Sequence, residues 1–186
     1  KAFRRPPTEG ELEALMSFYD QGASPGGFDG GVRMALQAML ASPAFIFRLE
    51  EAPGNFQQGD AYHIGNTSLA SRLSFFLWGA PPDARLRDLA GGGRLTDPEV
   101  LEEQARRMLD DPRSEALGER FAAQWFRLDD LEKVNPDRLM FPDFHEQLRG
   151  AMRRETEVFF NHLVEEDRSM FELFNADYTF VNERLA

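Results

Sequence analysis

The stretch Leu69-Ala-Ser-Arg-Leu-Ser-Phe-Phe-Leu-Trp78, closed by Gly79-Ala-Pro-Pro-Asp83, constrains the fold more than any other part of the chain. Leu69, Leu73 and Phe76 recur at the three- and four-residue spacing of one helical face. The paired prolines then remove two successive amide donors, so no helix continues through them. One arginine, Arg72, sits between the apolar positions of the face that this spacing sends inward.

The same period runs through the rest of the chain. Thr8-Glu9-Gly10-Glu11 has the form of a capping box, opening a helix with Leu12, Leu15, Met16 and Tyr19 on one face and an end at Gly22. After the loop 22–27, a second helix carries Val32, Ala35, Leu36, Met39 and Leu40 up to Ser42-Pro43, and 44–49 continues as a helical or extended core segment. A short helix over 83–89 stops at Gly91-Gly-Gly93, and Thr96-Asp97-Pro98-Glu99 reads as a second capping box, for a helix to about Leu109. Asp111-Pro112 starts another, carrying Leu117, Phe121, Trp125 and Leu128. The longest helix is predicted from about Pro142 to Glu166, and a short one near 169–174 leads into Tyr178-Thr-Phe-Val181. The pattern predicts an all-α protein, an irregular helical bundle of about seven or eight helices. The Gly- and Pro-rich stretch after Glu50 divides it into a small N-terminal helical unit (1–50), a linker (51–61) and a main helical domain (62–186), the whole reading as a piece of a longer parent.

Composition narrows the function classes. A net charge of −11 argues against nucleic acid, whose phosphates call for an excess of Lys and Arg. The absence of cysteine removes disulfides, thiolate metal ligands and CxxCH haem attachment, so no cofactor is expected within this chain. Apolar runs such as Phe75-Phe76-Leu77-Trp78 are far shorter than the roughly 20 residues of a membrane span.

Polar residues on apolar faces are the candidate sites. On the long helix Phe144, Leu148, Ala151, Met152, Val158 and Phe159 share a face, with Glu155 and His162 projecting from its middle, while Arg153, Arg154 and Glu157 point towards water. A carboxylate inside an apolar stripe must be paired, hydrogen-bonded or protonated. Arg72 is the expected partner and Arg120, flanking Phe121 and Gln124, the alternative, which makes Arg72, Glu155 and Arg120 a structural polar lock. The functional reading of the same group is a site with Glu155 as general base or ligand and His162 two turns along. The Glu-x-x-His pattern of carboxylate-bridged metals fails, because residue 159 is Phe. His162 is therefore expected as a core histidine, and His63 and His145 do not complete a ligand set by spacing. Gly91-Gly-Gly93 lacks the following GK[ST] of a phosphate loop, and Trp78 and Trp125 read as packing.

Several of these segments, in order, resemble a known family. Tyr62-His-Ile-Gly-Asn-Thr-Ser-Leu through Trp78, Asp111-Pro-Arg113, Phe121-Ala-Ala-Gln-Trp125, Arg154–Phe160 and Ala176–Ala186 are similar to a helical domain of large exported planctomycete and myxobacterial proteins. The segment before it, with Ala38-Met-Leu-Ala-Ser-Pro-Ala-Phe-Ile-Phe-Arg-Leu-Glu50, resembles the small helical domain that precedes it there. The resemblance implies an extracytoplasmic location, in the periplasm or at the cell surface, and association with c-type cytochrome, any haem c lying elsewhere in the parent or on a partner. It supplies no activity and no catalytic residues. The function expected is a non-catalytic scaffold or docking module that positions a redox partner or a neighbouring domain of the same polypeptide. The rival is a part of an extracytoplasmic oxidoreductase or hydrolase with its site around Glu155, His162 and Arg72.

Overall fold

The computed structural model describes residues 2–47, 50, 57, 59 and 61–186, and among these the chain is all-α, without a strand. The linker expected at 51–61 lies mostly outside the described residues, as does the end of the 44–49 segment. No helix among them is long and apolar enough to cross a membrane. The chain forms two compact units, 1–72 with 81–98, and 73–80 with 99–186.

In the first unit, α1 (Glu9–Ala41) opens on the capping box predicted for it: Thr8 Oγ1 accepts from the Glu11 N–H, and Glu11 accepts from the Thr8 N–H. The helix does not end at Gly22. It runs through Pro25 and folds back at Gly27, whose φ of 61° belongs to the left-handed region. Behind the fold the two arms pack backbone to backbone. A Cβ on Gly30 would lie 2.5 Å from the Gly22 carbonyl oxygen, and one on Gly31 would lie 2.6 Å from the Tyr19 ring. After α2 (Pro43–Ile46), α3 (Asn66–Leu77) starts in this unit and finishes in the second. Asp83 caps α4 (Ala84–Gly91), which stops in the glycine run as expected, with Gly93 at φ 70°. Thr96 pairs with Asn66 through both its N–H and its hydroxyl, and α5 (Pro98–Leu109) begins two residues later.

The second unit departs most from regular helix. Asp111 accepts from the Arg113 N–H and Pro112 comes next, as expected, but the result is a 3-10 turn (Pro112–Glu115) followed by a π-helical turn (Leu117–Ala122). Then come α6 (Ala123–Trp125), Arg127 at φ 56° and a second 3-10 helix (Leu128–Lys133). Each π turn inserts one residue relative to α geometry and so rotates the side chains of the next turn about the helix axis. Leu117 and Leu128 are accordingly buried, whereas Trp125, predicted on the same face, is 56% exposed. Trp78 is the packed tryptophan: 4% exposed, it donates its indole N–H to the Met108 carbonyl at 2.8 Å, and the Arg113 guanidinium lies 3.5 Å from the ring centroid. The longest uninterrupted helix is α7 (Glu146–Glu165), capped by His145, whose Nδ1 accepts from the Leu148 N–H. α8 (Glu172–Asn175) is a single turn, and chain that is neither helix nor strand runs on from it through Tyr178–Val181.

Candidate functional site

The predicted polar lock is not the arrangement these residues adopt. Arg72 is not inward-facing: its side chain is 60% exposed, and it binds Glu50 in the same unit through both Nε and Nη2. That guanidinium holds the Glu50 carboxyl below the usual carboxylate range. Arg120 is also exposed, and no carboxylate among the described residues pairs with it. Its guanidinium instead covers Gly79, where a Cβ would come within 2.6 Å of Cζ. Glu155 is half-buried and accepts the Thr179 hydroxyl at 2.6 Å. Arginine's long stem lets its head leave an apolar face for a surface carboxylate, which is why angular position misplaced both guanidinium groups.

The buried carboxylate of α7 is Glu157, two residues from the predicted one and expected to face water. It is 7% exposed. Arg153 Nε donates to it at 2.9 Å, Arg153 Nη1 donates to Asp129 at 2.6 Å, and Arg154 lies 3.5 Å away. Asn161, one turn on and also buried, joins the helix to the π turn: its Oδ1 accepts from the Gly118 N–H at 3.0 Å and its Nδ2 donates to the Glu115 carbonyl at 3.3 Å. Gly118 admits this contact because a Cβ there would meet Asn161 Oδ1 at 2.6 Å. Phe160 completes the face against Phe121 and Phe126. The only sequence signal for this arrangement is the Arg153–Glu157 spacing of four, which surface helices also use.

Glu155, Val158, Phe159 and His162 lie on the other side of α7, the side that the apolar stripe predicted as buried. Its cover is the irregular segment after α8. Tyr178 and Phe180 set their rings against Phe159 at 5.5 and 6.3 Å and against His162 at 5.8 and 5.1 Å. The Tyr178 hydroxyl donates to Glu172, which Arg168 also binds. The Arg168 guanidinium, then Tyr178, hold the Glu172 carboxyl below its ordinary value, while burial and the Glu172 hydrogen bond push the Tyr178 phenol up. His162 thus sits half-buried among aromatic edges rather than in the core. A cavity of about 150 Å³ lies beside Glu155, lined also by Arg154, Val158, Phe180, Asn182 and Leu185; His162 is not part of it.

Larger cavities lie elsewhere. One of about 380 Å³ in the first unit is walled by Arg4 and Arg5, but Arg4 donates to the Ala44, Phe45 and Phe47 carbonyls and Arg5 binds Glu11. Another, about 440 Å³, lies between the second 3-10 helix and α7, where Arg149 donates to the Val134 carbonyl. Among the described residues no group of three or more His, Asp or Glu could hold a metal ion.

Residues 64–186 match the family model described as PSD4: Protein of unknown function (DUF1592), and the chain belongs to that family. Residues 1–50 match the model described as PSD5: Protein of unknown function (DUF1595). No curated protein and no solved structure matches the chain.

Proposed function

We propose, with membership of that family as the premise, that the chain is a non-catalytic docking module of an exported, cytochrome-associated protein or assembly. Its task is to position a redox partner or a neighbouring domain. The observation that carries this reading is the turn ahead of α7. Asp137 binds its own loop: its carboxylate accepts from the Leu139 N–H at 2.8 Å, and its carbonyl accepts from the Met140 and Phe141 N–H groups at 3.1 and 2.9 Å. The loop so fixed points Leu139 (93% exposed), Met140 (74%) and Phe141 (55%) into solvent. Isolated exposed apolar side chains are ordinary, but three in succession on a turn with its own hydrogen bonds form a preorganised contact. The charge of −11 favours a basic partner and a salt-sensitive encounter.

The alternative, a hydrolase or oxidoreductase working at Glu155 and His162, draws support from the cavity beside Glu155. At about 150 Å³ that cavity is smaller than the roughly 300 Å³ at which ligand pockets usually begin, and only one of the two residues lines it.

Titration of the chain with a soluble, basic c-type cytochrome, read by calorimetry at low and at physiological salt, tests the docking reading. Saturable, salt-weakened binding is expected, reduced at least about tenfold in Leu139→Ser/Met140→Ser with the melt unchanged. Binding that ignores these substitutions would remove the loop from the interface, and no binding at either salt would remove the cytochrome.

A further inference from the structure

The segment on the outer face of α7 is attached in an unusual way. Among the described residues, the backbone groups of 177–181 make no hydrogen bond to α7 or to any other element; the nearest backbone ties are Ala176 N–H to Glu172 behind it and Leu185 N–H to Asn182 ahead. Side chains alone hold it: Tyr178 and Phe180 against Phe159 and His162, and the Thr179 hydroxyl on Glu155 between them. A helix face touched by three consecutive side chains, with no backbone bond to them, is read through the side-chain pattern itself. The fit is also incomplete, since the 150 Å³ cavity lies between the segment and the helix. The opposite face of α7 has its own packing, through Glu157, Phe160 and Asn161.

We propose that the face of α7 bearing Glu155, Phe159 and His162 is a binding groove for a short peptide of aromatic–hydroxyl–aromatic sequence, and that Tyr178-Thr179-Phe180 is its resident occupant. The incoming ligand is a segment of a partner protein with the same aromatic–hydroxyl–aromatic spacing. Two rings settle on Phe159 and His162, and a Ser or Thr hydroxyl between them donates to Glu155. This gives the docking reading a second, gated surface and rests on it. The resident segment competes at an effective concentration in the millimolar range, so the groove opens only to a better ligand or when the resident contacts weaken.

The test uses a fluorescein-labelled peptide with the sequence of residues 175–183, titrated by anisotropy onto the full chain. Binding to Tyr178→Ala/Phe180→Ala is expected to be at least about tenfold tighter than to the wild type, and to fall by a similar factor when Phe159→Ala is added. No saturable binding to a double variant that still melts cooperatively would overturn the proposal. So would equal binding to the wild type, or binding indifferent to Phe159→Ala. If the double variant does not melt cooperatively, Phe180→Ala alone is titrated under the same criteria. Failure here leaves the cytochrome titration and its Leu139/Met140 variant unaffected, so the two readings fall separately.

Discussion

The two sides of α7 invert the usual relation between polarity and burial. The side packed against the π turn buries a carboxylate and an amide, Glu157 and Asn161, each fully engaged. The opposite side carries Val158, Phe159 and His162 and is only half-covered, by a chain segment held through its side chains. The difference teaches that an apolar stripe identifies a face that needs cover without identifying the strongest contact. The tightest packing on this helix goes to the face where close backbone approach at Gly118 lets polar groups find partners.

The contrast can be broken most directly at Glu157. Glu157→Ala should cost about 2–3 kcal/mol in urea denaturation, because it strips a buried carboxylate from Arg153; the guanidinium keeps Asp129 and is itself 31% exposed, which holds the loss at the low end for a buried pair. Asn161→Ala should come next at about 1–3 kcal/mol, since it leaves the Gly118 N–H buried without an acceptor. Glu155→Ala should cost less than about 1 kcal/mol, as it removes one hydrogen bond to an exposed threonine. A larger loss at Glu155 than at Glu157 would reverse the comparison and restore the lock first expected there.

The smallest effect separates the two sides by pH. Glu172 titrates below its ordinary value in the folded chain, chiefly through Arg168 and then Tyr178. Its contribution is therefore complete above the unfolded-state value of about 4.3 and is lost as pH falls through the lower, folded-state value. On acidification from about pH 5 to about pH 3, the Tyr178 and Phe180 ring resonances should shift before those of Trp78. Rings that hold still until Trp78 moves would make the segment an integral part of the unit rather than a separable cover.

Legibility in the sequence tracks the range of each interaction. Thr8 with Glu11 and the stop at Gly91–Gly93 are local arrangements, written within four residues, and they formed as read, whereas Asp111 caps its turn but opens a 3-10 helix. Arg72, Arg120 and Glu155 were assigned by angle alone, and an angle does not say which neighbour a face will meet. The π turn at 117–122 compounds this by changing the phase for Trp125, which no propensity for Phe, Ala or Arg would signal. The pairing of Thr96 with Asn66, thirty residues away, had no signal in the sequence at all.

The burial of Trp78 and the exposure of Trp125 have a practical corollary. Both tryptophans belong to the second unit, and the chain has no others. Fluorescence excited selectively at tryptophan is thus blind to the first unit, and within the second it carries two separable signals: a shielded indole beneath Arg113 and an exposed, quencher-accessible one. Far-ultraviolet dichroism, by contrast, weighs the helices of both units. The gap between the two melting curves, one optical and local, the other summed over the backbone, is a direct reading of how independently the units come apart.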